Sequence, residues 1–305
     1  MEARSDGGSL KASATWSGAG VRRGNGVIIR AMQPQDPRKI ADGREAEMFA
    51  WGEGTILRLL RDPGGQSRAQ REAAAMKAAA DRGVRVPAVH GLTTVMGRPG
   101  LIMERIEGPD LLTLVGRRPW IVFSIGPICG EVHARLHAAG ASSRIRALRE
   151  TLRQRIESSG RVPDYLAEFA VEILEGLPDG DRLCHGDFHP GNVLMAGETP
   201  VVIDWTNATR GDPAGDVARS LVLFRLGQPP PGSPTLVRYL RLVGSKIVTS
   251  AYLRAYRRVR PLDMGLVDRW EVVQAAARLA AEPIAGEERP LLRLLEQRHA
   301  RARGA

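Results

Sequence analysis

His185-Gly186-Asp187-Phe188-His189-Pro190-Gly191-Asn192 is the stretch that decides how this sequence of 305 residues is interpreted, and Asp204 follows it after a short interval, within Val202-Ile203-Asp204-Trp205. Phosphoryl transfer needs one carboxylate to orient the acceptor hydroxyl, and it needs further oxygen ligands to hold magnesium against the nucleotide phosphates. The spacing therefore predicts a phosphotransfer site. In this interpretation Asp187 is the catalytic carboxylate, and Asn192 and Asp204 are the metal ligands.

The residues between these positions predict a loop followed by a hairpin. Pro190 and Gly191 favour a tight turn between Asp187 and Asn192. The short apolar runs 193–195 and 200–203 flank a turn at 196–199. Such a hairpin would carry Asp204 back toward Asn192, so that both could bind one hard cation, Mg²⁺. The alternative is that Asp and Asn only cap turns in this Pro/Gly-containing loop.

The pattern His-Gly-Asp, four residues, Asn, then apolar-Asp-Trp resembles that of the aminoglycoside phosphotransferase and choline kinase-like family. The similarity extends over residues 41–226, and 211–216 precede a helical run at 217–226 as they do in that family. The resemblance implies an α+β fold of the bilobal protein-kinase-like type. A small mixed N-terminal lobe with an antiparallel sheet would precede a larger, mostly helical C-terminal lobe. It also implies that Asp216 is a buried acceptor that braces the backbone of the catalytic loop.

These features divide the chain into three expected parts. Residues 1–38 are rich in Gly, Ser, Ala and Arg with little periodicity, which is typical of a flexible N-terminal extension. Residues 39–107 would form the nucleotide-binding lobe and end in a hinge. Residues 108–305 would form the helical lobe, with the catalytic loop and the acceptor-binding helices.

The N-terminal lobe offers candidate nucleotide contacts. Residues 48–51 and 55–60, joined by 52–54, are typical of an antiparallel hairpin. The resemblance places a phosphate-binding base near the end of the second strand, where Arg58 stands, and its partner on the next helix, where Glu72 stands. A planar guanidinium can bridge two phosphate oxygens. The alternative is an exposed Arg58 on a strand and a Glu72 in a first helical turn, stabilised by the helix dipole.

Two further contacts to ATP are expected from the same resemblance. The strand 101–108 ends in a polar, Gly-containing turn, so the backbone at Glu104 and Ile106 would bind the adenine edge; an ordinary strand and turn is the alternative. His189 stands two residues after Asp187 and could donate a hydrogen bond to the γ-phosphate or brace the loop. In the helix 128–138, His137 is expected to be a hydrogen-bonded packing residue.

Composition narrows the remaining possibilities. With 43% hydrophobic residues the chain can build two cores. Its two cysteines, Cys129 and Cys184, lie in apolar segments and indicate neither a disulfide framework nor a metal cluster. The sequence has no apolar run of membrane-spanning length and no apolar signal core at its N-terminus. We expect a cytoplasmic protein with no membrane partner.

The formal net charge of +10 raises the question of nucleic-acid binding. Residues 217–305 hold 16 Lys and Arg against 7 Asp and Glu, a net charge of +9. Only four of the 44 basic residues are lysines, and the sequence has no recognisable nucleic-acid motif, so a nucleic-acid partner is disfavoured. A basic C-terminal region also disfavours a polycationic aminoglycoside as acceptor, unless acidic residues converge locally; the candidates are Asp263, Asp268, Glu271 and Glu282.

The sequence therefore favours a small-molecule kinase that transfers the γ-phosphoryl group of ATP to a hydroxyl of an antibiotic or metabolite. A protein kinase is a second possibility, disfavoured because the short interval between Asp204 and Asp216 holds no activation segment of the usual kind. A nucleotide-binding pseudokinase is a third possibility, and a nucleic-acid-binding protein is a fourth. The acceptor, the choice between ATP and GTP, and the oligomeric state are left open.

Overall fold

The computed structural model describes residues 38–43, 45–227, 235–281 and 286–304, with 235–244 described by their backbone alone. The expected extension 1–38 lies outside these residues except for its last position, and Glu282 also lies outside them.

The N-terminal part is a five-stranded antiparallel sheet in the order β1-β2-β3-β5-β4. Its strands are β1 (Lys39–Asp42), β2 (Ala46–Gly52), β3 (Thr55–Leu60), β4 (Val89–Val95) and β5 (Arg98–Glu104). The predicted hairpin is confirmed, with Met48 opposite Arg58. Helix α1 (Gln66–Ala80) buries Ala75, Met76 and Ala79 and packs against β4 and β5. One face of α1 thus covers one face of the sheet.

The C-terminal part is mostly helical. Its helices are α2 (Leu111–Arg117), α3 (Val122–Leu136), α4 (Leu148–Glu157), α5 (Asp164–Glu175), α6 (Pro213–Leu226), α7 (Thr235–Val259), α8 (Met264–Ala280) and α9 (Glu288–Arg303). The predicted helix 128–138 begins earlier and ends earlier than expected, and the predicted run 217–226 begins at Pro213, where Asp212 caps the helix. Among the described residues, no helix is both long and apolar enough to cross a membrane.

The helices α3 and α7 cross with their backbones in contact. A Cβ atom on Gly130 would lie 2.3 Å from the carbonyl oxygen of Tyr252. Any larger residue at position 130 would therefore force the two helices apart. The close approach brings the tyrosines of α7 to the histidines of α3.

Four short strands connect the sheet to the helices. Strand β6 (Arg182–Cys184) pairs with β9 (Thr209–Gly211), and β7 (Val193–Ala196) pairs with β8 (Thr199–Val202). The second pair is the predicted hairpin, with Val193 opposite Val202. Strand β8 also forms a hydrogen bond with the N-terminal part, in which Val202 N donates to the Arg85 carbonyl at 2.9 Å. The chain is thus α+β, a small antiparallel sheet followed by a larger helical part, as the resemblance implied.

Candidate active site

The loop that begins at His185 is held by the side chain of Asp216. The backbone N–H groups of His185 and Gly186 donate to Asp216 Oδ2 and Oδ1, at 2.5 and 2.9 Å. His133 Nε2 and His137 Nε2 lie 3.0 and 3.2 Å from Asp216 Oδ2. Asp216 also stands in the first turn of α6, where the helix dipole favours a negative charge. The carboxylate therefore braces the loop as the resemblance implied.

Two tyrosines determine which histidine nitrogens carry protons. Tyr252 Oη and Tyr256 Oη lie 2.7 Å from Nδ1 of His133 and His137 respectively. Because each hydroxyl donates to Nδ1, each Nε2 is left to donate to Asp216. Burial lowers the pKa of His133 to about 4, so this imidazole is neutral near pH 7. Burial opposes the ionisation of Asp216, but the two histidines hold its pKa well below the ordinary value.

His133, His137 and Asp216 also lie close enough together to hold a metal ion. Both ring nitrogens of each histidine already have hydrogen-bond partners, however, and the side chains are fully buried. A cation there would displace this hydrogen-bond network. We therefore assign the cluster a structural role.

Asp187 lies on the open side of the same loop. Its side chain is 22% exposed, and Oδ1 accepts a hydrogen bond from Arg219 Nη2 at 3.1 Å. Arg219 Nε also donates to the Gly186 carbonyl at 3.2 Å. Burial opposes ionisation, but Arg219 and then His189 lower the pKa of Asp187 below its ordinary value. Asp187 is therefore ionised near pH 7, with Oδ2 accepting no hydrogen bond from the described residues.

His189 folds back onto its own loop. Its Nδ1 accepts from the Gly191 backbone at 3.1 Å, so Nε2 carries the proton of the neutral ring. That Nε2 atom lies 3.8 Å from Asp187 Oδ2. Burial is the main cause that lowers the pKa of His189. These contacts are those of a loop-bracing residue, while its contact with the γ-phosphate stays a prediction.

Asn192 joins Asp187 to the segment that holds Asp204. Asn192 Nδ2 donates to the Asp187 carbonyl at 2.9 Å, and the Asn192 carbonyl accepts from Ile203 N at 3.0 Å. The amide nitrogen is thus occupied, which leaves the amide oxygen for a ligand.

Asp204 has the left-handed backbone conformation, with φ of 60°, which is uncommon for residues other than glycine. Its side chain is 46% exposed, and Oδ1 accepts from Thr206 Oγ1 at 2.7 Å. A carboxylate and a carboxamide oxygen suit a hard cation such as Mg²⁺ or Ca²⁺. The donor set fits the predicted metal site, and the ligand roles of Asn192 and Asp204 stay predictions.

Arg58 and Glu72 form a buried ion pair between β3 and α1. Arg58 Nε lies 2.9 and 3.2 Å from the two carboxylate oxygens of Glu72. Glu72 lies near the middle of α1 and is buried, so the alternative of an exposed pair at a first helical turn is wrong. Burial acts against the charged form of Arg58, but Glu72, Asp204 and Glu45 together raise its pKa.

The same arginine reaches the loop side of the cleft. Arg58 Nη2 donates to Thr206 Oγ1 and lies 3.8 Å from Asp204 Oδ1. The ion pair therefore aligns the sheet with the segment that holds Asp204. Arg58 Nη1 has no protein partner within the described part of the chain.

A cavity of about 350 Å³ lies between the sheet and the β7–β8 hairpin. This volume is within the range of small-molecule sites. The side chain of Glu104 is bound to Arg85, whose Nη1 lies 2.8 Å away, and its backbone N–H donates to the Ala88 carbonyl at 2.8 Å. The lining includes most of the expected nucleotide contacts: Arg58, Glu72, Glu104, Ile106 and Asp204. Adenine binding by Glu104 and Ile106 stays a prediction.

Asp263, Asp268 and Glu271, the three described acidic candidates, are all engaged in contacts within the protein. Asp263 caps α8 and accepts from Gly265 N at 2.8 Å. Glu271 is buried against Arg225 and Arg298, and Asp268 lies 3.6 Å from Arg298. Asp263 thus serves as a helix cap, while Asp268 and Glu271 share Arg298, whose charge opposes theirs.

Arg219 is the site residue that sequence reasoning missed. It follows Asp216 by three residues on α6, so the two side chains lie on one face of the helix. Because Asp216 was expected to face the loop, a residue three positions later on the same helix could have been expected to face it too.

The fold is similar to those of several solved kinases. Aminoglycoside phosphotransferase APH(4)-Ia is 16% identical, with 86% of this chain and 92% of that chain covered and a TM-score of 0.60. Amicoumacin kinase hAmiN is 14% identical, with coverages of 87% and 88% and a TM-score of 0.59. Macrolide 2′-phosphotransferase MphH from Brachybacterium faecium is 22% identical, with coverages of 85% and 91% and a TM-score of 0.53. At these identities the similarity shows the kinase-like fold.

Among curated proteins, acyl-CoA dehydrogenase family member 10 of Mus musculus is 25% identical over 243 residues. The match covers 68% of this chain but only 21% of the length of that relative. Residues 36–262 match the phosphotransferase enzyme family, and this range includes the sheet, the catalytic loop and Asp216. The chain therefore belongs to the phosphotransferase enzyme family.

Proposed function

We propose that this kinase binds ATP and Mg²⁺ in the cleft between the sheet and the β7–β8 hairpin, and phosphorylates a hydroxyl group held by Asp187. The observation that carries the proposal is the double contact of Asn192, which bonds to the Asp187 carbonyl through its side chain and to Ile203 through its backbone. One residue thus couples the candidate catalytic carboxylate to the candidate metal-binding segment.

Asp187 would act as a positioned hydrogen-bond acceptor. Its pKa lies below the ordinary value, so the carboxylate is too weak a base to deprotonate an alcohol before transfer begins. It would orient the hydroxyl through Oδ2 and take the proton late in the reaction. Arg219 fixes Oδ1 and leaves Oδ2 for the acceptor.

The nucleotide side of the site would be held by the other named residues. Asn192 and Asp204 would bind Mg²⁺, which neutralises the negative charge on the phosphates when it is bound. Arg58 keeps Nη1 for phosphate oxygens, because Nε and Nη2 are bound to Glu72 and Thr206. The backbone of Glu104 and Ile106 would contact the adenine edge.

The acceptor is expected to be neutral, anionic or singly cationic. An aminoglycoside carries several ammonium groups and needs carboxylates at close range. Asp263 caps helix α8, Glu271 is buried against Arg298, and Asp268 also pairs with Arg298. Kanamycin-like compounds should therefore be poor substrates.

The test is a screen of purified protein with ATP or GTP, Mg²⁺ and a panel of aminoglycosides, macrolides, sugars, amino alcohols and hydroxy acids. We expect phosphorylation of at least one hydroxylated compound and its loss in Asp187→Asn. The matched control is Asp181→Asn, since Asp181 is exposed and lies before the loop. Nucleotide binding without transfer to any compound would favour a pseudokinase. Tight nucleic-acid binding that survives physiological salt would favour a nucleic-acid-binding protein.

A further inference from the structure

The hydroxyl of Thr206 lies between the candidate phosphate-binding side chain and a candidate metal ligand. Arg58 Nη2, on β3, donates to Thr206 Oγ1, and Thr206 Oγ1 donates to Asp204 Oδ1 at 2.7 Å. A guanidinium only donates hydrogen bonds and a carboxylate only accepts them, whereas a hydroxyl does both. The hydroxyl therefore bridges Arg58 and Asp204, and its own proton points to the carboxylate.

Arg58 and Asp204 carry opposite charges but are not hydrogen-bonded to each other. Arg58 Nη2 lies 3.8 Å from Asp204 Oδ1, whereas a charge-assisted hydrogen bond measures about 2.7–2.9 Å. The side chain of Asp204 is 46% exposed, so it has room to rotate toward the arginine. A direct pair with Arg58 would offset the charge of the carboxylate, which would then attract a cation less strongly. The bridging hydroxyl occupies the place that such a direct pair would need.

The backbone on both sides of Thr206 holds the hydroxyl in this place. The preceding residue, Trp205, is buried, and its indole Nε1 donates to the Val202 carbonyl at 3.1 Å. The following residue, Asn207, lies against the catalytic loop, because a Cβ atom on Gly186 would lie 2.1 Å from the Asn207 carbonyl oxygen. Thr206 is thus positioned by the fold itself, before any ligand binds.

Each partner of Thr206 keeps another polar atom for a ligand. Thr206 engages Oδ1 of Asp204, and Oδ2 accepts no hydrogen bond from the described residues. Arg58 uses Nε and Nη2 for Glu72 and Thr206, which leaves Nη1. The hydroxyl therefore fixes one atom of each charged group and leaves the other atom available.

We propose that Thr206 is a positioning residue for phosphoryl transfer, whose hydroxyl keeps Arg58 and Asp204 apart so that one binds phosphate and the other binds Mg²⁺. The inference rests on the proposed function and adds a residue that acts through these two side chains. Without the hydroxyl, Asp204 would pair with Arg58, and Mg²⁺ would have to compete with the guanidinium for the carboxylate.

The variant Thr206→Val tests the inference, because it removes the hydroxyl and nearly keeps the shape of the side chain. Binding of AMP-PNP is measured by calorimetry, once with Mg²⁺ and once with EDTA. We expect binding with Mg²⁺ to weaken by about tenfold or more, the loss expected for a hydrogen bond to a charged group, and metal-free binding to weaken by less than about threefold. The Mg²⁺ concentration at half-saturation should rise accordingly.

Two further variants separate positioning from a general effect on the fold. Thr209→Val is the matched control, because it makes the same change in a nearby residue whose buried hydroxyl has no hydrogen-bond partner among the described residues. Its affinities for AMP-PNP with Mg²⁺ and with EDTA should match those of the parent. Thr206→Ser returns the hydroxyl and should restore most of the affinity with Mg²⁺. Thermal unfolding verifies that each variant is folded.

A double-mutant cycle with Asp204→Ala tests whether Thr206 acts through the carboxylate. Once Asp204 is alanine, Arg58 has no carboxylate at that position to pair with. Thr206→Val should then weaken binding with Mg²⁺ by less than about twofold.

Four results would overturn the inference. The first is binding of Mg²⁺ and AMP-PNP by Thr206→Val within about twofold of the parent. The others are equal losses with Mg²⁺ and with EDTA, no recovery in Thr206→Ser, and an undiminished loss in the Asp204→Ala background. The proposed function is judged on the parent protein. Absence of AMP-PNP binding there, or binding that Mg²⁺ does not strengthen, would count against the proposed function and remove the basis of this inference.

Discussion

Asp216 and Asp187 are two carboxylates that contact the same loop but differ in burial and in the number of their hydrogen-bond partners. Asp216 is fully buried and accepts hydrogen bonds from two backbone N–H groups and two neutral histidines. Asp187 is partly exposed, and one of its oxygens is paired with Arg219. A fully buried carboxylate that accepts four hydrogen bonds can hold backbone but is not accessible to a ligand. A carboxylate fixed at one oxygen can still bind through the other, so the same residue type supports the fold at Asp216 and is available for the proposed chemistry at Asp187.

The largest expected effect is the loss of stability on removal of the buried carboxylate of Asp216. Asp216→Ala leaves four buried donors without an acceptor, so it should lower the free energy of unfolding by about 3–5 kcal/mol. Urea unfolding followed by circular dichroism measures it. Asp212→Ala is the control, because it removes only the cap of α6 and should cost about 1 kcal/mol. Equal losses in the two variants would mean that the Asp216 contacts do not act as a network.

The Asp216 region should also be sensitive to acid. The pKa of His133 is about 4 in the folded chain, below its ordinary value of 6.5, so the unfolded state binds the proton first as pH falls. Stability should therefore decrease from pH 6.5 to pH 4, by on the order of 3 kcal/mol from this residue. The depressed pKa of Asp216 contributes a further loss only below about pH 3.8.

Urea unfolding at pH 7, 5.5 and 4.5 measures this decrease. His133→Gln should flatten the dependence, whereas His90→Gln, at an exposed histidine, should leave it unchanged. An unchanged slope in His133→Gln would contradict the assignment of His133 as the buried neutral group.

Asp187 should show a different profile, a large effect on activity together with a loss of stability, because the variant leaves the buried charge of Arg219 without its anion. Asp187→Asn should lower kcat by at least about a hundredfold, or about 2.7 kcal/mol, because the amide cannot accept the acceptor proton. Nucleotide affinity measured by calorimetry should persist. Turnover near that of the parent would remove Asp187 from the catalytic role and leave it as a loop residue like Asp216.

Asp204 should give the smallest of these effects and one that depends on the metal. Asp204→Ala should weaken ATP binding in the presence of Mg²⁺ by about tenfold or more, and metal-free binding much less. Calorimetry with Mg²⁺ and with EDTA measures both affinities, and Asp62→Ala, at an exposed residue outside the cleft, is the control. Equal losses under both conditions would make Asp204 a structural residue.

Much of the local site could be predicted because it depends on short chain segments. The turn at Pro190 and Gly191 and the hairpin of β7 and β8 were predicted from residue type and spacing, and both are confirmed. In such segments backbone geometry alone brings Asp204 back toward Asn192. The role of Asp216 and the pairing of Arg58 with Glu72 came from the resemblance, and the structure shows both contacts.

The sequence by itself thus determined the family, the turn at Pro190 and Gly191, and the hairpin, because residues within about a dozen positions are constrained by turns and strand pairing. Only the tertiary structure decided which distant side chains meet there. The contact of His133 with Asp216 spans 83 positions and that of Arg58 with Thr206 spans 148. The helices α4, α6 and α8 likewise meet at Gly215, through Leu148 and Trp270. Helix packing depends on which faces are buried together, and spacing along one segment carries no information about that choice.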